Sequence, residues 1–139
     1  MLILKILVTF LIISIMGWLL DTIWRSVRQK QFAPGNYLKP LPVCPIYGFG
    51  GLLIMTIAPV VIELPVIAQA LILMIALSSL ELGGSIFTRG LLKKTLWDYS
   101  GNRLNIKGHT DLGHAIAWGI LGLAFLHFVH PMVAGLLSF

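Results

Sequence analysis

The sequence is short of charged residues and of cysteine, and each shortage excludes a class of protein. Charged residues make up 11% of the 139-residue chain and hydrophobic residues 58%, whereas about 25% of the residues in soluble domains are charged. One soluble domain of this size has too small an interior to bury that much apolar surface. The single cysteine, Cys44, excludes an intramolecular disulfide and a cysteine-based metal cluster.

Nucleotide-binding and hydrolase signatures are also missing. The chain contains neither G-x-x-x-x-G-K-[ST] nor G-x-S-x-G, so it carries no ATPase or serine-hydrolase motif of its own. We therefore expect no cofactor. The histidines fall in two pairs, His109 with His114 and His127 with His130. A metal site usually needs a third ligand and supporting groups, so no metal site is predicted.

Long apolar runs dominate the rest of the chain. They predict an all-α, polytopic membrane protein with four transmembrane helices in a compact bundle, because about 20 apolar residues in a helix cross the hydrocarbon core. The whole chain, 1–139, is predicted to be a single transmembrane domain, with spans at about 2–20, 46–62, 66–92 and 111–139. The polar connections are predicted at about 21–45 and 93–110. A break in the last span is expected near Pro131.

The basic residues lie beside the apolar runs. Nine of the ten Lys and Arg residues fall in the segments 22–44 and 89–107. Short cytoplasmic loops collect Lys and Arg, and four spans put these two connections on the same side. The sequence therefore predicts a multi-pass membrane protein with both basic connections in the cytoplasm and both termini outside. Topology and anionic lipid headgroups account for the net charge of +5, so no nucleic-acid partner is expected.

The first apolar run is expected to be a retained helix rather than a cleaved signal peptide. The run covers about 19 residues, and no small-x-small cleavage site follows it. Trp18 and Trp24 flank Asp21, as aromatic residues do at a membrane interface.

Two acidic residues are the clearest signals of a polar site. Glu81 lies inside the third span, and an ionisable group at membrane depth is a functional hypothesis by default. Asp21 ends the first span and shares a helix face with Arg25. Two carboxylates converging on a cytoplasmic cavity would suit cation binding, proton relay or acid–base chemistry. The structural alternatives are a surface Asp21–Arg25 pair and, for Glu81, an ion pair or a protonated acid bonded across helices.

Aromatic and small residues supply two further signals. Trp97, Asp98 and Tyr99 precede a Gly-Asn turn, and they fit either an interfacial aromatic belt or the aromatic wall of a cation pocket. Small residues on the third and fourth spans predict close helix packing within a bundle or a dimer.

Several strings, taken in order, resemble one family of small bacterial membrane proteins. They are Gly17-Trp18 with Asp21, Pro42-Val43-Cys44-Pro45-Ile46-Tyr47-Gly48-Phe49-Gly50, Leu80-Glu81, Trp97-Asp98-Tyr99-Ser100, Asn105-Ile106-Lys107-Gly108 and Trp118-Gly119. The family is labelled as ABC-transporter permeases of type IV, or CmpB-like. The resemblance covers roughly residues 17–122, and departures such as Arg89, where an acid is usual, mark a divergent member. It implies a permease, which would need an ATPase partner.

Together these signals predict a small integral membrane protein for transport or ligand binding, with a polar site at the cytoplasmic ends of its helices. Its expected partners are membrane lipids, further copies in a homo-oligomer, or a partner membrane subunit. No catalytic residue is predicted. The predicted ligand-binding residues are Asp21, Arg25, Cys44, Tyr47, Glu81, Trp97, Asp98, Tyr99 and Asn105.

Two alternatives stay open at this stage. The first is a membrane enzyme acting on a lipid or isoprenoid substrate. Its acid–base or metal chemistry would come from Asp98, His109, Asp111 and His114. The second is a structural or accessory subunit of a membrane complex, which would dock through the small-residue faces.

Overall fold

The computed structural model describes residues 1–35 and 37–137, and most of them are helical. The elements in chain order are α1 (Leu2–Gln29), α2 (Pro45–Val61), α3 (Val66–Gly90), β1 (Asn105–Ile106), β2 (Thr110–Asp111), α4 (Leu112–Ala124), a π-helical turn (Phe125–Val129) and α5 (His130–Leu137). Each predicted span contains a helix, although the last two residues of the fourth span, 138–139, lie outside the described residues. The chain divides into two compact units, 1–53 and 54–139, which we describe separately.

Three helices in the described part of the chain are long and apolar enough to cross a membrane. They are α1, α3 and the continuous helix Leu112–Gly135. This confirms the all-α membrane class predicted from the sequence. Helix α2 is apolar but has only 17 residues, so the fourth transmembrane span stays a prediction.

Helix α1 is longer than its apolar run. It continues nine residues beyond the predicted end at Leu20 and finishes at Gln29. Lys30 ends the helix in the left-handed conformation, with φ at 54°. Asp21 and Arg25 therefore lie on the same helix, as their spacing of four residues predicted, and the end of the transmembrane span within α1 stays a prediction.

In the first unit, α1 meets the start of α2 at two glycines. A Cβ atom on Gly17 would overlap the Tyr47 ring, and one on Gly48 would lie 2.7 Å from the Phe10 ring. Phe10 and Phe49 also pack edge to face, with ring centroids 4.9 Å apart at 64°. The absence of side chains at the glycines lets the two helix backbones approach closely.

In the second unit, α3 and α4 pack around an apolar core. Its buried members are Ile54, Ala58, Val61, Leu73, Leu77 and Leu126. Gly119 and Gly122 of α4 face α3, where a Cβ atom would lie 3.2 Å from Met74 Cβ and 3.0 Å from Leu73 Cβ respectively. Small residues thus let these two helices approach, as the sequence predicted.

The last helix widens ahead of Pro131 and does not break there. Its π-helical turn covers Phe125–Val129. Proline has no N–H, and its ring displaces the carbonyl four residues earlier, which here belongs to His127 inside the turn. The wider turn accommodates the proline while the helix continues to Leu137.

A buried glutamine links the α2–α3 turn to this π-helical turn. Gln69 is 2% exposed, and its Nε2 donates to the carbonyls of Ile62 at 3.1 Å and Leu64 at 2.8 Å. Its Oε1 lies 2.7 Å from His127 Nε2. Because both amide hydrogens go to carbonyls, the amide oxygen accepts, and His127 carries a proton on Nε2.

Candidate functional site

The chain after α1 folds back along that helix. We call residues 31–35 the strap. The helix residues that hold it are spaced four apart, so they lie on one face. Their hydrogen bonds run from Trp18 Nε1 to the Gly35 carbonyl at 3.0 Å, from the Gly35 N–H to Thr22 Oγ1 at 2.9 Å, and from the Ala33 N–H to Ser26 Oγ at 3.0 Å.

Beside the strap lies a polar group of side chains that we call the α1 cluster: Asp21, Arg25, Tyr37, Cys44 and Tyr47. Tyr37 hydrogen-bonds Asp21, and Arg25 is near enough to interact electrostatically with the same carboxylate. Tyr37 in turn interacts with Cys44 and Tyr47. The four site residues predicted from the first part of the sequence are therefore neighbours, and Tyr37 is a fifth member that the sequence did not reveal.

Burial keeps two acids of the α1 cluster protonated. Cys44 is 1% exposed, and burial, assisted by the Asp21 carboxylate, raises the pKa of its thiol to about 12. The thiolate is the nucleophilic form of cysteine, so this thiol is unreactive at neutral pH. Burial and the Asp21 charge also raise the pKa of Tyr37, which keeps its hydroxyl as a hydrogen-bond donor.

Two polar atoms of the α1 cluster, on residues whose charges interact, have no hydrogen-bond partner among the described residues. Asp21 Oδ2 is an acceptor and Arg25 Nε is a donor, and both are shielded from solvent. Ser14 Oγ, two helical turns before Asp21 on the same helix, is a third such atom. An unsatisfied buried polar group costs about 1–3 kcal/mol, so native proteins contain few of them.

Both carboxylate oxygens of Glu81, by contrast, accept hydrogen bonds. Glu81 is 3% exposed. The Tyr99 hydroxyl donates to Oε1 at 3.1 Å and Thr110 Oγ1 donates to Oε2 at 2.7 Å. The Trp118 side chain hydrogen-bonds the same carboxylate. All three donors are neutral, and together they tie the α3–α4 connection and α4 to one point on α3.

Tyr99 belongs to a second chain of contacts that leads to the start of α4. Its ring stacks on His114, with centroids 3.9 Å apart and planes at 16°. His114 Nδ1 lies 2.6 Å from Asp111 Oδ2, and the His114 N–H donates to Asp111 Oδ1 at 2.9 Å. Asn102 Nδ2 donates to Asp111 Oδ2 at 2.8 Å. Asp111 is therefore the N-cap of α4.

The Asp111 cap should weaken in acid. Burial opposes ionisation, but hydrogen bonds from Asn102 and His114 outweigh it and hold the pKa of Asp111 below 3.8. A lowered folded-state pKa gives stability that is present above the unfolded-state pKa, about 4, and lost as pH falls through the folded-state value. We expect the His114 backbone amide to lose protection from hydrogen exchange below about pH 4. Asparagine can also cap a helix but does not titrate, so Asp111→Asn should not lose this protection in acid. Equal loss of protection in Asp111→Asn and the unmutated protein would contradict the role of the Asp111 carboxylate.

Arg89 fixes the connection from the end of α3. Its guanidinium Nη2 donates to the carbonyls of Gly108, at 3.0 Å, and Trp97. Asp98 Oδ1 lies 3.8 Å from the same nitrogen. Gly108 has φ at +72°, and a Cβ atom there would overlap Asp98 Oδ1. The turn around Gly108 therefore requires glycine for both conformation and space.

The remaining predicted site residues hold the same connection. Asn105 Oδ1 accepts from the Gly108 N–H at 2.8 Å, and its Nδ2 donates to the Asn102 carbonyl at 2.7 Å. Trp97 Nε1 donates to the His109 carbonyl at 3.0 Å. The predicted residues of the second unit, which we call the Glu81 cluster, are Glu81, Trp97, Asp98, Tyr99 and Asn105. A site shared by Asp21 and Glu81 stays a prediction.

Comparison with protein families agrees with the membrane architecture. A family model described as "Putative ABC-transporter type IV" matches residues 8–139. The chain belongs to this family. The match confirms the resemblance seen in the sequence strings, and it gives this type IV family member a membrane location, a transport-related role and membership of a membrane-associated complex. No curated protein and no solved structure matches the chain.

Three of the four histidines of this type IV family member, His109, His114 and His127, have side-chain hydrogen-bond partners. His109 Nδ1 lies 2.8 Å from Ser85 Oγ, while His114 and His127 contact Asp111 and Gln69 as described. Within residues 1–35 and 37–137, no group of three His, Cys, Asp or Glu side chains is placed to hold a metal ion.

Proposed function

We propose that this protein binds a polar molecule at the α1 cluster and moves it as the membrane component of a transport complex. The unsatisfied atoms Asp21 Oδ2 and Arg25 Nε carry this proposal. A molecule that donates a hydrogen bond to Asp21 and accepts one from Arg25 would satisfy both, recovering about 1–3 kcal/mol for each. Because the two side chains carry opposite charges, the pair suits a net-neutral or zwitterionic polar molecule better than a simple ion.

Binding at this position requires the strap to move. Both unsatisfied atoms are shielded from solvent, and a Cβ atom on Gly35 of the strap would lie 3.0 Å from Asp21 Oδ2. The strap is held by the three hydrogen bonds to α1 side chains described above. Their loss would free residues 33–35, while the Gln31 N–H still donates to the Ser26 carbonyl at 3.3 Å. The strap would then act as a lid whose opening admits the ligand.

The Glu81 cluster has a different proposed role, which is to position the α3–α4 connection. Both Glu81 oxygens already accept hydrogen bonds from Tyr99 and Thr110, so a ligand at Glu81 would have to displace protein donors. Ligand binding at Glu81, with Trp97, Asp98, Tyr99 and Asn105 at its mouth, is the wider form of the proposal.

The topology and partners of the proposed transporter follow from charge and motifs. The two basic connections would face the cytoplasm of a bacterial inner membrane, with four spans and both termini outside. The chain has no nucleotide-binding motif, so ATP-driven transport would need a separate ATPase subunit. A homo-oligomer is the proposed membrane unit.

A ligand screen with matched variants tests this function. Polar metabolites would be screened for their effect on the unfolding temperature of the purified protein in detergent, since a ligand at 100 times its Kd stabilises by about 2.7 kcal/mol. Stabilisation by a true ligand should disappear in Asp21→Asn and Arg25→Gln and persist in Glu63→Gln, a change to an exposed acid in the α2–α3 turn. Stabilisation that survives both α1-cluster changes would overturn the site.

A membrane hydrolase is the second candidate, because one nucleophile–base pair is present. Ser85 Oγ lies 2.8 Å from His109 Nδ1, and Asp98 is near enough to interact electrostatically with His109. These residue types form catalytic triads. Ser85 is only 1% exposed, however, so a substrate cannot reach its hydroxyl in this arrangement. Covalent labelling of Ser85 by a fluorophosphonate probe would favour the enzyme over the transporter.

A further inference from the structure

The hairpin formed by β1 and β2 presents apolar side chains to its surroundings. Leu104 is 75% exposed and Ile106 is 55% exposed. Arg103 and Lys107, which flank them, are also exposed. We call residues 103–107 the hairpin tip. Its two large apolar side chains make no contribution to the buried core of the second unit.

The backbone of Leu104 is in an unfavourable conformation. Its φ is 53°, in the left-handed region, where bulky residues are outliers and glycine or asparagine are preferred. The backbone conformation of Leu104 is therefore unfavourable, and its apolar side chain gains no burial energy while it is exposed to water. A strained backbone that holds a large apolar side chain at the surface points to a functional position.

The tip is held in this shape by hydrogen bonds from its inner side. Asn105 accepts from the Gly108 N–H at 2.8 Å and donates to the Asn102 carbonyl at 2.7 Å. The His109 N–H donates to the Ile106 carbonyl at 2.9 Å. Leu104 and Ile106 are thus directed outward by a fixed turn.

Most of the exposed charged side chains in the connection are cationic. The exposed cations of the connection are Lys93, Lys94, Arg103 and Lys107. Of the two acids of the connection, Asp111 is buried, and Asp98 is an exposed carboxylate next to Gly108. Asp98 pairs with Arg89 at 3.8 Å, and Asp111 is buried against Asn102 and His114. Exposed cations beside exposed apolar groups are the chemistry that anionic lipid interfaces attract.

The hairpin lies between two helices of membrane length. It lies between α3, which ends at Gly90, and α4, which begins at Leu112, and both helices are long and apolar enough to cross the membrane. We propose that the hairpin tip binds anionic phospholipid headgroups, with Leu104 and Ile106 inserted at the headgroup–acyl boundary and Arg103 and Lys107 on the phosphates. This proposal does not depend on the α1 cluster or its ligand.

Fluorescence of a labelled tip tests the insertion. Leu104→Cys would carry an environment-sensitive NBD group, with the unmutated protein as the labelling blank because Cys44 is 1% exposed. In vesicles of phosphatidylcholine mixed with phosphatidylglycerol, we expect a blue shift, a several-fold rise in emission and quenching by doxyl-labelled lipid. Gly101→Cys serves as the matched control, because position 101 is exposed with open space around it. An NBD group attached there should keep the emission it has in water.

Lipid composition and a second variant make the test decisive. In phosphatidylcholine alone the shift at position 104 should be much smaller, and the double change Arg103→Gln with Lys107→Gln should remove the dependence on phosphatidylglycerol. Leu104→Asn should keep or raise the unfolding temperature in detergent, since asparagine tolerates left-handed φ, while less phosphatidylglycerol copurifies. Water-like emission in both vesicle types would overturn insertion, and equal shifts in both would overturn the anionic-lipid partner.

Discussion

Glu81→Ala should destabilise the protein by about 4 kcal/mol, because it leaves buried donors without an acceptor at about 1–3 kcal/mol each. The donors are the Tyr99 hydroxyl, the Thr110 hydroxyl and the Trp118 side chain. The free energy of unfolding in mild detergent measures the loss. Limited trypsin digestion locates it, because the released connection contains four exposed cleavage sites, at Lys93, Lys94, Arg103 and Lys107.

Two further variants serve as matched controls for Glu81→Ala. Glu63→Ala removes an exposed acid from the α2–α3 turn and should change stability by less than about 0.5 kcal/mol. Glu81→Gln keeps one acceptor oxygen, so its free energy of unfolding should fall between those of Glu81→Ala and the unmutated protein. If Glu81→Ala has the same free energy of unfolding and the same digestion pattern as the unmutated protein, Glu81 does not hold the connection. Its carboxylate is then available for a ligand.

Gly17→Ala should destabilise the first unit by about 2–3 kcal/mol, the upper range for overpacking. The added methyl group would overlap the Tyr47 ring, so α1 and α2 would have to separate. Because Tyr47 belongs to the α1 cluster, the same change should weaken any ligand that Asp21 binds. The free energy of unfolding and the ligand-induced shift in unfolding temperature measure the two effects.

Gly83→Ala is the matched control, because it makes the same chemical change in another membrane-length helix. Gly83 is exposed and a Cβ atom there has nothing within 4 Å. Removing a glycine from a helix should then be neutral or stabilising by up to about 1 kcal/mol. Equal losses in the two variants would contradict the close contact at Gly17. A change of oligomeric state in Gly83→Ala would instead reveal a helix of another subunit on that face.

The helical fold could be predicted because apolar runs of membrane length leave few alternatives. The end of helix α1 could not be predicted from hydropathy. Hydropathy falls after Leu20, whereas the helix continues to Gln29 because Thr22 and Ser26 bond to the returning strap. Such bonds join residues whose pairing no local pattern reveals. The spacing of Trp18, Thr22 and Ser26 along one face was the available signal.

Four of the nine predicted ligand-binding residues, Asp21, Arg25, Cys44 and Tyr47, are neighbours in the structure. Tyr37, which lies among them, carried no signal of its own in the sequence. An acid directly before the apolar run of α4 is a recognisable N-cap pattern, so the role of Asp111 was accessible from the sequence. The Thr110–Glu81 bond was not, because it joins residues 29 positions apart through a two-residue strand.

The hydrogen bonds of Gln69 also set an order for biosynthesis. Its amide oxygen accepts from His127, 58 residues later in the chain. While the ribosome is still making that stretch, the α2–α3 hairpin can satisfy the amide nitrogen on Ile62 and Leu64, but the oxygen has no native partner. An unpaired polar atom is expensive in hydrocarbon. The hydrogen bonds of Gln69 are therefore complete only after the last helix has been made.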